Sequence, residues 1–147
     1  MKVEEARAED VAELTELIAQ EFPYTKITEQ KVWDKIDNPH FLLLKAADKK
    51  HGIIGFTEFQ ALDHENGIAR LNNITVLKEF RGKDYSKSLL SLALKETKAL
   101  GYKKIILLVK ENNKTAKSLY KGAGFKKLGM HEKLIDGDKV EEWELLL

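Results

Sequence analysis

Apolar residues recur along this chain in two rhythms, and those rhythms assign most of its elements. Val11, Leu14, Leu17 and Ile18 fall on one face of a helix that opens at Glu9 or Asp10 and runs to Gln20. Leu89, Leu92, Ala93 and Leu100 form a second stripe, which predicts a longer helix over Tyr85–Leu100 with Gly101 as its stop. Thr28 caps a shorter helix that ends at Ile36, and Asn38-Pro39 prevents its continuation. Asn113–Lys121 is a fourth helix, ended by Gly122.

The other rhythm is that of strands. Val3–Arg7, His40–Ala47 and Ile53–Gln60 read as strands, the last two joined by the turn Asp48–Gly52, with Gly55 in mid-strand. After the polar turn Asp63–Gly67, Ile68–Val76 alternates: Ile68, Arg70, Asn72 and Ile74 point one way, and Ala69, Leu71, Asn73 and Thr75 the other. Asn72 and Asn73 spoil that alternation and predict a bulge. Lys104–Val109 is apolar without alternation, as expected of a strand covered on both faces. Phe125–Ile135 and Val140–Leu147 form a hairpin around Asp136-Gly137-Asp138.

The order β-α-α-β-β-β-α-β-α-β-β predicts a mixed α/β (α+β) fold. Its centre is a mostly antiparallel, twisted sheet of about seven strands, flanked by about four helices. Ile68–Val109 is a βαβ crossover, so its two strands pair in parallel. The length of 147 residues fits one domain, 1–147.

Charge and composition then remove several functions. Lys+Arg number 25 against 24 Asp+Glu, a net charge of +1, which argues against a dedicated nucleic-acid binder. There is no cysteine, hence no disulfide, thiol nucleophile or cysteine metal site, and this suits a reducing cytoplasm. His40, His51, His64 and His131 are dispersed, so no metal is expected. The apolar runs Phe41–Leu44 and Ile105–Val109 are too short to span a bilayer, and the N-terminus lacks an apolar signal core. A soluble cytoplasmic protein without membrane partners is the expectation.

Between the third predicted strand-turn and the long helix lies Glu79–Leu90, EFRGKDYSKSLL. Free N–H groups at a helix start and the helix dipole favour an anion there. Gly82 permits close approach of backbone, Arg81, Lys83 and Lys87 raise the potential, and Ser86 can donate or cap. The spacing is neither that of a Walker loop nor that of a dinucleotide fingerprint. Read alone, the stretch is equally an ordinary solvated turn.

Together with Asn113–Phe125, NKTAKSLYKGAGF, it resembles the GCN5-related N-acetyltransferase superfamily. The family's pyrophosphate pattern starts at Arg81, and its Asn-x-x-Ala-x-x-Leu-Tyr-x-x-x-Gly-Phe pattern is matched by Asn113, Ala116, Leu119, Tyr120, Gly124 and Phe125. The resemblance implies an acyl-CoA N-acyltransferase-like fold in which the parallel strands splay apart. It implies acetyl-CoA as co-substrate, with Arg81, Gly82, Lys83, Asp84, Tyr85 and Ser86 around the pyrophosphate and Asn113 and Ala116 beside the pantetheine. Backbone groups of Ile74, Thr75 and Val76 would pair with that arm, and the Ile74 N–H would meet the thioester oxygen. Two positions depart from the pattern: Asp84 replaces a glycine, and Ser86 a glycine or alanine. A carboxylate beside a diphosphate predicts weaker coenzyme binding. Asp84 would turn outward to cap the helix, or pair with Lys83 or Lys87.

The implied reaction is direct attack of a primary amine, in a small molecule, a peptide or protein N-terminus or a lysine, on the thioester. By the same resemblance Tyr120 is the general acid; its alternative is a packed tyrosine with any partner. Glu58 is a candidate base but reads more simply as a solvated strand carboxylate, and Asn73 is a candidate holder of a relay water. Asn113 could equally cap its helix. Phe22 and Tyr24, after the first helix, either line the acceptor site or pack at the helix end. Glu58 and Glu65 lean toward a cationic amine. Trp33 and Trp143 read as core. The C-terminal hairpin, with Trp143 and Leu145–Leu147, is a candidate homodimer surface, although a buried last strand explains the same residues. The competing function is a catalytically weak or inactive acyl-CoA-binding regulatory domain.

Overall fold

The computed structural model describes all 147 residues. A seven-stranded sheet runs in the order β1-β2-β3-β4-β5-β7-β6. Its strands are β1 (Lys2–Glu5), β2 (Phe41–Asp48), β3 (Gly52–Asp63), β4 (Ile68–Val76), β5 (Lys104–Lys110), β6 (Lys126–Met130) and β7 (Val140–Leu146). The helices are α1 (Val11–Glu21), α2 (Glu29–Ile36), α3 (Tyr85–Ala99) and α4 (Lys114–Gly122). Every neighbouring pair is antiparallel except β4 and β5.

The stripes read from the sequence decide which helix covers which face. Leu14, Leu17 and Ile18 of α1 and Val32 of α2 pack on Leu43, Ile53 and Phe56. Leu89, Leu90, Ala93 and Leu94 of α3 pack on the other face with Ala69, Leu71, Val76, Ile105 and Leu107, and Ala116, Leu119 and Tyr120 of α4 join them. Thr28 caps α2 by accepting from the Lys31 N–H at 3.2 Å. The hairpin turn has φ of 51° at Asp136 and 79° at Gly137, the pair of left-handed angles a tight two-residue turn needs.

Four local expectations change. β1 stops at Glu5, because the Arg7 N–H leaves the ladder to bond Asp10 Oδ2 at 2.8 Å. β6 ends at Met130, well before Ile135. β5 is buried on one face only: Ile105, Leu107 and Val109 are buried while Ile106 and Leu108 are half-buried, since α1 and α2 cover the β1–β3 half of the sheet. Trp33 is 40% exposed, whereas Trp143 is buried with its Nε1–H donating to Glu141 Oε1 at 3.0 Å.

Buried charges are paired. The Lys45 ammonium donates to Asp10 at 2.7 Å. Burial pulls the Lys45 pKa down, but the hydrogen bond and charge of Asp10 outweigh it and leave that pKa above its ordinary value. Burial pushes the Glu141 carboxyl up, and the bonds from Lys117 and Trp143 reverse the sign and hold it below its usual range.

The bulge foreseen at Asn72-Asn73 is present. Glu58 faces Asn73 while Phe59 faces Leu71, so Asn72 is the extra residue of β4. It resets the alternation. Ile74 and Val76 therefore share the α3 face with Ala69 and Leu71, and Ile74 is not on the face of Arg70 and Asn72 as simple alternation predicts.

Gly55, opposite Val76, lets β4 lie close at this point: a Cβ there would stand 2.5 Å from the Thr75 carbonyl oxygen. Gly55→Ala therefore displaces the end of β4 and lowers stability by about 1–3 kcal/mol. An unchanged urea midpoint would show that the strand yields freely.

Candidate functional site

β4 and β5 pair only from Ile68–Lys104 to Arg70–Ile106 and then diverge. A cavity of about 770 Å³ opens on the α3–α4 side of the sheet, within the size range of small-molecule sites. Arg81, Gly82, Asp84, Ser86 and Lys87 line one wall. Asn113, Ala116, Leu119 and Tyr120 line another, and Ile74 of β4 reaches it as well. The two stretches singled out in the sequence, more than twenty residues apart, thus border one space.

The start of α3 is suited to an anion. Ser88 is the first residue to make a helical bond, from its N–H to the Asp84 carbonyl at 3.0 Å, so the N–H groups of Tyr85, Ser86 and Lys87 have no intrahelical acceptor. Gly82 has φ of 78° and Asp84 φ of 61°. Asp84 thus occupies a left-handed position that glycine adopts without strain and that Asp tolerates better than most residues. Its side chain neither caps α3 nor pairs with Lys83 or Lys87, contrary to the expectation of an outward turn. Asp84 is one of the residues that line the cavity.

Arg81 is less free than the pattern implies. Its Nε donates to the Val76 carbonyl at 3.0 Å, and its Nη2 pairs with Glu21 at the end of α1. It holds the end of β4 to α1 while still bordering the cavity. Lys83 and Tyr85 lie elsewhere, on a separate surface hollow with Phe80 and His51. Thr75 and Val76 are buried and offer only backbone.

Asn113 caps α4, its side chain accepting from the Ala116 N–H at 3.1 Å. Tyr120 is half-buried against Phe125, with ring centroids 5.8 Å apart. Burial alone, with no hydrogen bond to offset it, pushes the phenol above its ordinary pKa.

Glu58 is not solvated. It is 5% exposed, accepts from Lys35 Nζ at 2.6 Å and from Asn72 Nδ2 at 2.9 Å, and lies on the opposite face from the cavity. Asn73 stands opposite it in the ladder, with its side chain unbonded. Phe22 and Tyr24 meet edge to face at 6.2 Å, Tyr24 being 79% exposed, and neither reaches the cavity.

Two features escaped the sequence. Thr57 Oγ1, on the residue opposite Ile74, is buried without a partner. His40 and His64, dispersed in the chain, approach to 3.2 Å. No signal in the sequence pairs them, since their proximity depends on how the ends of β2 and β3 meet. No group of three or more His, Cys, Asp and Glu is placed to hold a metal ion, and no helix is long and apolar enough to cross a membrane.

The acetyltransferase (GNAT) family matches residues 8–125. No curated protein matches the sequence. Solved structures do. A chimera of the spermidine N-acetyltransferase SpeG from Vibrio cholerae and hSSAT superposes with a TM-score of 0.84 at 21% identity, over 99% of this chain and 96% of that one. A GNAT-family acetyltransferase from Streptococcus pneumoniae gives 0.80 at 21%, covering 99% of each chain. The Vibrio cholerae spermidine N-acetyltransferase in complex with CoA and spermine gives 0.80 at 22%, over 99% of this chain and 94% of that one. At these identities the likeness is one of fold.

Asp84→Gly removes a carboxylate from a residue that lines the cavity and relieves a left-handed position. The variant is expected to bind acetyl-CoA more tightly by calorimetry without loss of stability; equal affinities would refute the electrostatic penalty. Asp84→Val, which keeps the backbone demand and adds a β-branch, is expected to lose about 1–2 kcal/mol in a urea melt.

Proposed function

This chain belongs to the acetyltransferase (GNAT) family, and we propose that it transfers the acetyl group of acetyl-CoA directly to a primary amine through the cavity between β4, α3 and α4. The observation that carries this reading is the convergence of the α3 N-terminus, Tyr120 and Ile74 on one space. Acetyl-CoA supplies the activated thioester. The unspent N–H groups of Tyr85, Ser86 and Lys87, with Arg81 and Lys87 beside them, hold its pyrophosphate. Beyond Arg70, β4 has lost β5 as a partner, so its backbone edge at Ile74–Val76 faces the gap and the pantetheine arm, with the Val76 carbonyl already accepting from Arg81. The Ile74 N–H then meets the oxygen that gains charge as the amine attacks.

The amine nitrogen forms its bond to the carbonyl carbon, the C–S bond breaks, and the Tyr120 phenol protonates the departing thiolate. The amine passes its proton to the Glu58 carboxylate through a relay water held by Asn73, which faces Glu58 in the ladder. Absence of cysteine removes a thioester relay through the enzyme. A regulatory acyl-CoA-binding domain is the competing reading, and Asp84 in the cavity wall favours it.

Tyr120→Phe separates them. Turnover of an amine panel, followed as free thiol, is expected to fall about 10²–10⁴-fold with acetyl-CoA affinity unchanged. Binding without turnover in the wild-type chain would support the regulatory domain instead. Because burial raises the phenol's pKa, Tyr120 stays protonated through neutral and mildly alkaline pH. Its ionisation therefore removes activity only above the ordinary tyrosine value of 10.0. An alkaline limb below that value would assign the acid to another group.

A further inference from the structure

The α1–α2 face of β3 and β4 carries a polar network that the coenzyme cavity does not use. Lys35 Nζ donates to Glu58 Oε1 at 2.6 Å, and Asn72 Nδ2 to Glu58 Oε2 at 2.9 Å. Asn72 turns its carbonyl oxygen to Arg70 Nε at 2.8 Å. Gln60 Oε1 accepts from Arg70 Nη2 at 3.0 Å and from Asn72 Nδ2 at 3.1 Å.

The charges do not cancel. Lys35 neutralises Glu58. Arg70 has only neutral amide oxygens as acceptors, and no carboxylate lies within ion-pairing distance of it. Within this network Lys35 and Arg70 stand against Glu58, one positive charge in excess; farther along the same face, beyond β5, Glu144 pairs with Lys104 and Glu142 lies opposite Leu108. A guanidinium offers five N–H donors in a planar fork, of which two are engaged here. A half-buried fork with donors to spare matches a carboxylate, not another cation.

Its place matters. Arg70 is the last residue of β4 paired to β5, so it stands where the two strands part. Its Nε reaches Asn72, about 7 Å of strand short of Ile74, where the thioester oxygen is received. Ile106 and Leu108, half-buried on the same face of β5, offer an apolar wall to a short carbon stem.

We propose that the acceptor is a primary amine that also carries a carboxylate, an amino acid or ω-amino acid, and that Arg70 reads that carboxylate. This rests on the acetyl-transfer reading above. It reverses the lean toward cationic amines drawn from Glu58, because Lys35 already fills the place of a substrate ammonium. Arg70 is then a specificity-determining residue, and polyamines are poor acceptors.

The test follows thiol release with matched pairs: an α-amino acid, an ω-amino acid, the carboxamide of each, and spermidine. The acids are expected to exceed their carboxamides at least tenfold in kcat/KM, with spermidine below both acids. Arg70→Gln is expected to erase the acid–carboxamide difference through the KM for the acids, with the affinity for acetyl-CoA unchanged by calorimetry. Arg70→Lys, which keeps the charge and loses the fork, is expected to restore part of it. Spermidine as the best acceptor, or a preference for acids that survives Arg70→Gln, overturns the proposal while the acetyl-transfer reading stands. Acetyl-CoA binding with no turnover of any amine overturns both.

Discussion

Parallel pairing between β4 and β5 lasts from Ile68 to Arg70 and no further. Each strand is committed to its other neighbour: β4 follows β3 to Val76, and β5 follows β7 from Lys104 to Lys110. The extra residue Asn72 bends and twists β4 just where the pairing stops. Two unpaired backbone edges result, and in a buried sheet such edges are costly unless something pairs with them. The cavity, the free backbone at Ile74 and the reset alternation that turns Ile74 toward α3 all descend from this one local failure of the ladder.

The two sides of that gap differ in charge. On the α3 side, helix N–H groups, Arg81 and Lys87 favour an anion, and Asp84 opposes them from a left-handed position. On the α2 side, Glu58 is compensated by Lys35 and Arg70 is not compensated. Arg81 links the halves in another way. By bonding both the Val76 carbonyl and Glu21, it ties the loop before α3 to the end of α1, just before Phe22 and Tyr24.

Much of the frame was legible in the chain. The α1 stripe, the Thr28 cap, the Asp136-Gly137 turn and the bulge at Asn72 appear where spacing and turn chemistry put them, because each depends on residues within a few positions. The site was legible only through the pairing of the Arg81 loop with the Asn113–Phe125 motif. What failed was environment. Glu58 reads as a solvated strand carboxylate until Lys35, from a helix twenty-three positions earlier, closes on it. Trp33 and Trp143 read alike, yet one lies on an exposed helix face and the other beneath α4 with Glu141 as its acceptor. β5 reads as covered on both faces, and its α2-side neighbours prove too short of helix to cover it.

The sequence by itself determined the order of elements, the alternation and its break, the turns, and the two motifs that border the cavity. These follow from backbone sterics, short-range hydrogen bonds and the periodicity of burial, all of which act along a few residues of chain. Only the tertiary structure decided that Asp84 makes no cap, that Arg81 is tied to Glu21, that Glu58 is paired with Lys35 and that Arg70 is left without a carboxylate partner. Those outcomes depend on which distant group the sheet brings within about 3 Å, and an electrostatic partner at that range outweighs anything the neighbouring residues in sequence can signal.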